Sequence, residues 1–517
     1  MKKLCRVLFS RYAISAVFFV AELLLLWLLL AYASSYSYVI LLISTILNAV
    51  AVISIINRDA NPEFKVSWVV VVSFIPVFGA VLYVIFYSRK LSHRDIKIMR
   101  EINEHYAKYA QERQRRTNEI MSSMAELDIS AAGRATALLR DDIYAELYGD
   151  TGVKYYADAS LMYRAMLEDF SQAQKYIFLE YFIIEEGEMW NGIHAILKEK
   201  AAAGVDVRVL YDDIGCMKTL PAGYSSKLRA EGIRCFVFGK ISPRLIANHN
   251  NRDHRKIAVI DGKIAYTGGI NIADEYINVK KRFGHWKDGG VRILGRCATG
   301  LAKIFMTNYC MATGETQSMD FPSLSDAVYD NCSDGGYYIP FCDGPLPISP
   351  EYTSKNAFMN TINRAESYLY VTTPYLIIDY DLTEALKAAA RRGVDVRIIT
   401  PGVADKKLVK LMTKSFYLQL VTCGVRIFEY TPGFIHEKIM ICDDSSAIVG
   451  TVNLDYRSLV HHFENALWIF GSPEIIKMRE SFLDTCTLCH EISEAEAKLR
   501  LHERILRALT RLFAPLL

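Results

Sequence analysis

The chain repeats itself, and the repeat limits what it can fold into. HRKIAVIDGKIAYTGGIN, from His254 to Asn271, returns as HEKIMICDDSSAIVGTVN, from His436 to Asn453. Both copies have Lys two residues after the His and Asp five after the Lys. Both have Gly fourteen and Asn seventeen residues after the His. A looser repeat precedes each copy: AAAGVDVRVLYDD (201–213) matches AARRGVDVRIITPG (389–402). In each, an Ala-rich helical run closes at Gly204 or Gly393 and a β-branched strand begins. Strand-rich runs, YIFLEYFII (176–184) and YLYVTTPYLII (368–378), come before those helices. Two strand–helix–strand units predict an α/β fold of two halves related by a pseudo-twofold axis.

Strand alternation gives the motif its geometry. His254 and Lys256 are two apart and share one face, as do His436 and Lys438. The turn at Gly268–Gly269 permits close backbone approach, and Asn271 follows near a helix start. When the halves face each other, two His, two Lys and two Asn converge. Lys256, Lys438, Asn271 and Asn453 suit the non-bridging oxygens of a phosphodiester and its transition state. One imidazole can attack phosphorus to give a phosphohistidine, while the other protonates the leaving alcohol and deprotonates the incoming one. The lysines handle the charge, and no carboxylate cluster of the two-metal kind stands nearby. Neither a metal nor another cofactor is therefore expected.

Each imidazole needs an orienting partner on its other nitrogen. HWKDGGVRI places Asp288 at a strand start after the first motif, and HFENALWI places Glu464 at the matching point after the second. The expected pairs are Asp288 with His254 and Glu464 with His436. The motif aspartates, Asp261 and Asp443, belong to the catalytic signature. They lie at the far ends of their strands, where a structural or supporting role is expected. Glu437, between His436 and Lys438, should point away from the site by alternation.

Hydrophobic residues make up 51% of the 517, and the excess sits at the start. Apolar stretches run from about Tyr12 to Ala33, Tyr36 to Ile56 and Val66 to Tyr87, each near the roughly 20 residues a span needs. The first resembles a signal peptide but has too long an apolar core, so a retained anchor is expected. Basic residues precede the first stretch, and Arg89, Lys90, Arg94, Lys97 and Arg100 follow the third. The positive-inside rule puts both ends in the cytoplasm, which three full spans would not allow. Either the third stretch folds back at Pro76 and Gly79, or the first two do not both cross. A net charge of +3 argues against a general polyanion binder. The eleven scattered cysteines, Cys486 and Cys489 included, read as thiols of a reducing compartment.

The duplicated motif resembles the HxKxxxxD signature of the phospholipase D superfamily, and both copies are complete. The wider chain is similar to bacterial cardiolipin synthases: NPEFKVSWVVVVSFIPVFGAVLYVIF, FLEYFIIEEGEMWNGI, NNRDHRKIAVIDG, TTPYLIID, EYTPGFIHEKIM and NLDYRSL occur in family order. The resemblance implies two α/β/α sandwich halves forming one catalytic unit behind N-terminal transmembrane helices. It implies joining of two phosphatidylglycerol molecules into cardiolipin and glycerol without a metal, with His254 as nucleophile and His436 as acid–base. Phosphatidylglycerol and anionic membrane lipids are the expected partners, nucleic acid is not, and a multi-pass protein of the bacterial cell membrane with a cytoplasmic catalytic domain is expected.

The expected division is a membrane module (1–90), a charged helical stalk (91–140), a first half (141–325), a second half (326–492) and a basic amphipathic tail (493–517). The tail could lie on an anionic membrane or against the catalytic halves. A hydrolytic phospholipase, a phosphatidylserine synthase or a nuclease would share the site. A catalytically dead scaffold would not need both motifs intact.

Overall fold

The computed structural model describes residues 27, 37–58, 61–74, 79–80, 83, 91–142, 145–240, 251–316, 332–349, 352–498 and 500–513. The first sheet contains β1 (Thr151–Tyr156), β2 (Tyr176–Tyr181), β3 (Asp206–Asp212), β4 (Arg234–Phe238), β5 (Lys256–Ile260) and β6 (Ile264–Gly268). A short β7 (His285–Lys287) stands outside it, and β8 (Gly290–Gly295) completes it. Its order is β1-β8-β6-β5-β2-β3-β4. The second sheet draws on β9 (Tyr337–Asp343), β10 (Tyr368–Thr372), β12 (Asp395–Pro401), β13 (Arg426–Tyr430), β15 (Ile439–Cys442), β16 (Ser446–Gly450), β18 (Glu464–Phe470) and β19 (Cys489–Glu491). The short strands β11 (Leu376–Ile377), β14 (Gly433–Ile435) and β17 (Leu454–Asp455) lie outside it. Read from β9 the order is β9-β18-β16-β15-β10-β12-β13-β19, the first sheet's order with one added edge.

In both halves the repeated strand–helix–strand units supply the parallel strands, and the motif strand pairs antiparallel with the first of them. Gly204 and Gly393 end the equivalent helices at φ +90° and +92°, where a side chain would be strained. The strands β5 and β15 are buried along their whole length, as expected of a sheet covered on both faces. One apolar core joins the two halves and includes the helix Cys297–Thr313, which is buried from Cys297 to Met311. Two outer cores lie between each sheet and its own outer helices. Among the described residues ten cysteines are present, and all are free thiols.

The segment expected as a stalk lies along the enzyme instead. In the helix His93–Ala107, Ile98, Met99, Ile102 and Tyr106 join the central core. Met124, Ala131, Ala135 and Leu138 join the second half's outer core. The tail helix Leu501–Phe513 also docks: the Leu512 carbonyl accepts from Ser67 Oγ at 2.6 Å, and the Arg511 guanidinium covers the Phe416 ring.

Among the described residues no helix is long and apolar enough to cross a membrane. The helix Ser37–Ile56 has 20 residues and no charged one, but several of its side chains fall outside the description. Almost all of the first apolar stretch, and Pro76, also lie outside it. The helix Pro62–Phe74, of 13 residues, runs into the third stretch. A Cβ on Gly79 would stand 2.6 Å from Val72 Cα. A continuous helix would separate those positions by about 10 Å, so Gly79 lies back against the helix it follows. Ala51, Ile55, Trp68, Ala80 and Tyr83 form one small core with Val71 and Val72.

Candidate active site

The two motif histidines sit where the halves meet, each held by the other half's backbone. His254 lies just before β5, and its N–H donates to the Phe463 carbonyl at 2.9 Å. His436 lies just after β14, which pairs with β7, and its N–H donates to the Lys287 carbonyl at 2.8 Å. In each case the residue after the accepting carbonyl is the acid. Glu464 therefore meets His254, with Nδ1 at 2.9 Å from Oε1 and 3.0 Å from Oε2. Asp288 meets His436, with Nδ1 at 2.8 Å from Oδ2.

The expected pairing within each half, Asp288 with His254 and Glu464 with His436, is thus reversed. The acid at each strand start faces the opposite half, because that start is the edge against which the opposite motif is hydrogen-bonded.

Lys256 and Lys438 fold back on their own motifs. Lys256 Nζ donates to the His254 carbonyl at 2.5 Å, and Lys438 Nζ donates likewise to the His436 carbonyl. Each ammonium has further N–H donors beyond that bond. Both lysines feel both acids, and Lys438 is in turn depressed by Lys256, so all four charges share one buried volume. Burial lowers Lys256 to about 8 and Lys438 to about 7. Burial likewise lowers His254 to about 3, against the pull of Glu464, and puts His436 well below the usual imidazole value. Burial raises Asp288 to about 6, although Lys438 opposes it. Glu464 goes the other way: burial pushes it up, but the His254 contact outweighs that and holds it ionised.

The two acids differ in what supports them. Thr451 Oγ1 donates to Glu464 Oε2. The equivalent position in the first half is Gly269, where a Cβ would stand 2.2 Å from Asp288 Oδ1 and 2.7 Å from the His436 carbonyl. Asp288 accepts instead from the Gly289 N–H at 2.9 Å.

The other expected site residues take different places. Asn271 is buried beside the His436 side, its Oδ1 accepting from the Ile183 N–H at 3.1 Å and its Nδ2 donating to the Tyr276 hydroxyl at 2.6 Å. Asn453 is buried and its Oδ1 has no hydrogen-bond partner. Asp261 and Asp443 lie roughly 20 Å along their strands from the histidines. Asp261 accepts from the N–H groups of Gln174, Lys175 and Tyr176, and Asp443 from those of Glu366, Ser367 and Tyr368. Both have positive φ, 53° and 51°. Each ties its motif strand to the start of the neighbouring strand, away from the chemistry. Glu437 points away from the histidines and accepts from Tyr155 Oη at 2.6 Å.

Several neighbours were not expected. Phe182 lies edge-on to His254 with ring centres 5.1 Å apart. Tyr276 and Trp286 each stand 5.5 Å from His436. His462 is buried 5.5 Å from the His254 ring, and its Nδ1 is 3.5 Å from Glu464 Oε1. Tyr276 and Trp286 come from a loop and a short strand that the repeat does not align, whereas Phe182 lies near the end of the repeated run 176–184. His462 opens the segment HFENALWI, and only its spacing of two from Glu464 could have marked it.

Two equivalent α/β halves that bring two His-x-Lys motifs and two opposed acids to one seam define a phospholipase D-like enzyme. The fold is that of the phosphatidylserine synthase of Haemophilus influenzae, with a TM-score of 0.53 at 13% identity, covering 70% of this chain and 93% of that one. Residues 166–281 and 358–485 match the family described as cardiolipin synthase, phospholipase D-like domain, and residues 46–86 match the phospholipase D-nuclease N-terminal family. A cardiolipin synthase of Listeria welshimeri is 30% identical over 494 residues, 93% of this chain and 99% of that one. One of Staphylococcus aureus is 30% identical over 485 residues, 92% of this chain and 95% of that one. The chain belongs to the cardiolipin synthase family.

Proposed function

We propose that this protein makes cardiolipin from two molecules of phosphatidylglycerol and releases glycerol. The observation that carries the reading is the crossed pair of His–carboxylate contacts beside Lys256 and Lys438. With Nδ1 engaged by an acid, Nε2 is the ring atom left to react. His254 Nε2 attacks the phosphorus of the first lipid, and the bond from phosphorus to the terminal glycerol oxygen breaks. His436 gives that oxygen a proton, and glycerol leaves. The hydroxyl of the second lipid gives a proton to His436 and attacks the same phosphorus. The phosphorus–nitrogen bond then breaks and returns its electron pair to His254.

Lys256 and Lys438 stabilise the non-bridging oxygens throughout, with Asn271 and Asn453 as further amide donors. Burial depresses His436 most, and the two lysines depress it further. A bound phosphodiester offsets their field and lets His436 take up the proton that acid catalysis requires.

Phospholipid substrates and the apolar N-terminus support attachment to the bacterial cell membrane through residues 1–90. The catalytic halves would then lie on the cytoplasmic side. The return of Gly79 onto Val71–Val72 favours a third stretch that folds back over one that crosses.

The test is a product assay. Purified protein in vesicles receives labelled phosphatidylglycerol with EDTA present, beside His254→Ala and His436→Ala. Cardiolipin plus glycerol from the wild type alone is expected. Phosphatidic acid as the sole product would make the enzyme a hydrolase, and product only after another alcohol is supplied would change the acceptor.

A further inference from the structure

His462 is a histidine without an evident job. Its ring is buried, Nε2 has no hydrogen-bond partner, and Nδ1 faces only Glu464 Oε1, at a long 3.5 Å. Burying an imidazole this way is unfavourable unless something bonds it. Nothing in the reaction above uses it, yet it lies beside the group that attacks phosphorus.

One atom from each of His254, His462 and Glu464 lies within 4.8 Å of the others. Two edges of that triangle are 2.9 Å, from His254 Nδ1 to Glu464 Oε1, and 3.5 Å, from His462 Nδ1 to the same oxygen. A tetrahedral Zn²⁺ with ligands at about 2.0–2.1 Å separates its ligand atoms by about 3.3 Å. The two edges bracket that distance and the third is no more than 4.8 Å, so rotation of the two rings towards each other would close the site. Two imidazoles and one carboxylate also form a donor set suited to Zn²⁺ and its neighbours among the transition metals, with a fourth position left open.

We propose that His254, His462 and Glu464 form an inhibitory site for a divalent transition-metal ion. Zn²⁺ held there displaces the Nδ1 proton of His254, which moves to Nε2 or to solvent, and binds the nitrogen lone pair so freed together with a Glu464 oxygen. It thereby breaks the contact that orients the attacking ring. Binding depends only on the three side chains. Inhibition rests in addition on His254 being the nucleophile.

The experiment uses tag-free, full-length protein in detergent, freed of metal by dialysis. Co²⁺ is titrated in without lipid, and its d–d absorption reports tetrahedral binding. Zn²⁺ is then added to displace it. The same titrations are run on His462→Asn and His462→Gln, with thermal unfolding as the check on folding.

The wild type should bind one Co²⁺ per chain and lose the signal to Zn²⁺. Zn²⁺ should also stop phosphatidylglycerol consumption, and EDTA should restore it. Both variants should bind Co²⁺ on the order of 100-fold more weakly, and the Zn²⁺ concentration for half inhibition should rise in step.

Absence of tetrahedral Co²⁺ absorption in the wild type overturns the proposal, whether or not the variants fold. Folded variants that bind Co²⁺ as the wild type does overturn it as well. His462-dependent binding that leaves turnover untouched overturns the inhibitory role, and trapping of the phosphohistidine on the metal-free enzyme shows separately whether His254 is the nucleophile.

Discussion

Glu464→Gln and Asp288→Asn separate the crossed pairing from pairing within each half. Glu464 receives Nδ1 of His254 at 2.9 and 3.0 Å, and Asp288 receives Nδ1 of His436 at 2.8 Å. The amides keep the size of the carboxylates and remove their charge. A hydrogen bond to a charged group contributes about 1.5–3 kcal/mol. At about 1.4 kcal/mol per decade, each substitution should cost roughly 10- to 150-fold in the step its histidine performs. For Glu464→Gln that step is formation of the phosphohistidine, and for Asp288→Asn it is proton delivery to glycerol and activation of the second lipid.

A labelled phosphatidyl-p-nitrophenol, whose phenolate leaves without a proton from His436, mixed rapidly with enzyme and quenched in base, where phosphohistidine survives, reads the attack of His254 alone. Glu464→Gln should lower the rate at which phosphohistidine appears. Once the intermediate has formed, Asp288→Asn should slow its discharge. The pairing argument fails if Glu464→Gln leaves the appearance rate unchanged while Asp288→Asn reduces it.

Gly269→Ala places a methyl group 2.2 Å from Asp288 Oδ1. It should cut turnover at least 100-fold, about 3 kcal/mol, and lower stability by about 1–3 kcal/mol because the His436 carbonyl 2.7 Å away must also give; near-normal turnover of the folded enzyme would show that Asp288 can move freely. Asp261→Ala unpairs three backbone N–H groups, one of them part-buried. It should lower stability by about 2–3 kcal/mol while folded enzyme keeps its turnover, and the same holds for Asp443→Ala; denaturant unfolding with assays on the folded fraction checks both. The pH profile of kcat/KM should be bell-shaped. Asp288, raised to about 6, takes up a proton below that pH and loses its grip on His436. Lys438 and Lys256, lowered to about 7 and 8, lose theirs above those values and with them the charge that holds the phosphodiester. A flat profile across that range would remove these groups from the site.

The repeat made much of the fold legible. Matching runs such as VDVRVLYDD and VDVRIITPG carry the same turn glycine and the same strand, and both sheets adopt one strand order around them. Alternation placed Glu437 on the far face, where it meets Tyr155. The exchange of Asp288 and Glu464 was not legible, because offsets along one chain say nothing about which half a strand start faces. The docking of the His93–Ala107 helix was equally hidden. Its charged residues dominate its composition, while the buried Ile98, Met99, Ile102 and Tyr106 occupy a narrow face. His462 lies outside the repeated motif, and its spacing of two from Glu464 is the one sequence signal that pointed to it.

A symmetric site would give two equivalent histidines, yet the reaction needs one to attack and the other to shuttle a proton. The difference is written in the residues behind each ring. Glu464 has the Thr451 hydroxyl and the His254 contact to keep it ionised. An ionised Glu464 fixes Nδ1 of His254 as the protonated nitrogen and leaves Nε2 with its lone pair, the form that attacks. Asp288 has Gly269 where the other half has Thr451. It lies higher in pKa and is the weaker anchor for a neutral ring. The position after the motif glycine, Gly269 in one half and Thr451 in the other, thus breaks the symmetry. Thr451→Gly should raise Glu464 towards Asp288 and slow the first step. Thr451→Ser keeps the hydroxyl and should retain the wild-type rate. Equal rates for formation of the intermediate in the Gly and Ser variants would show that the symmetry is broken elsewhere.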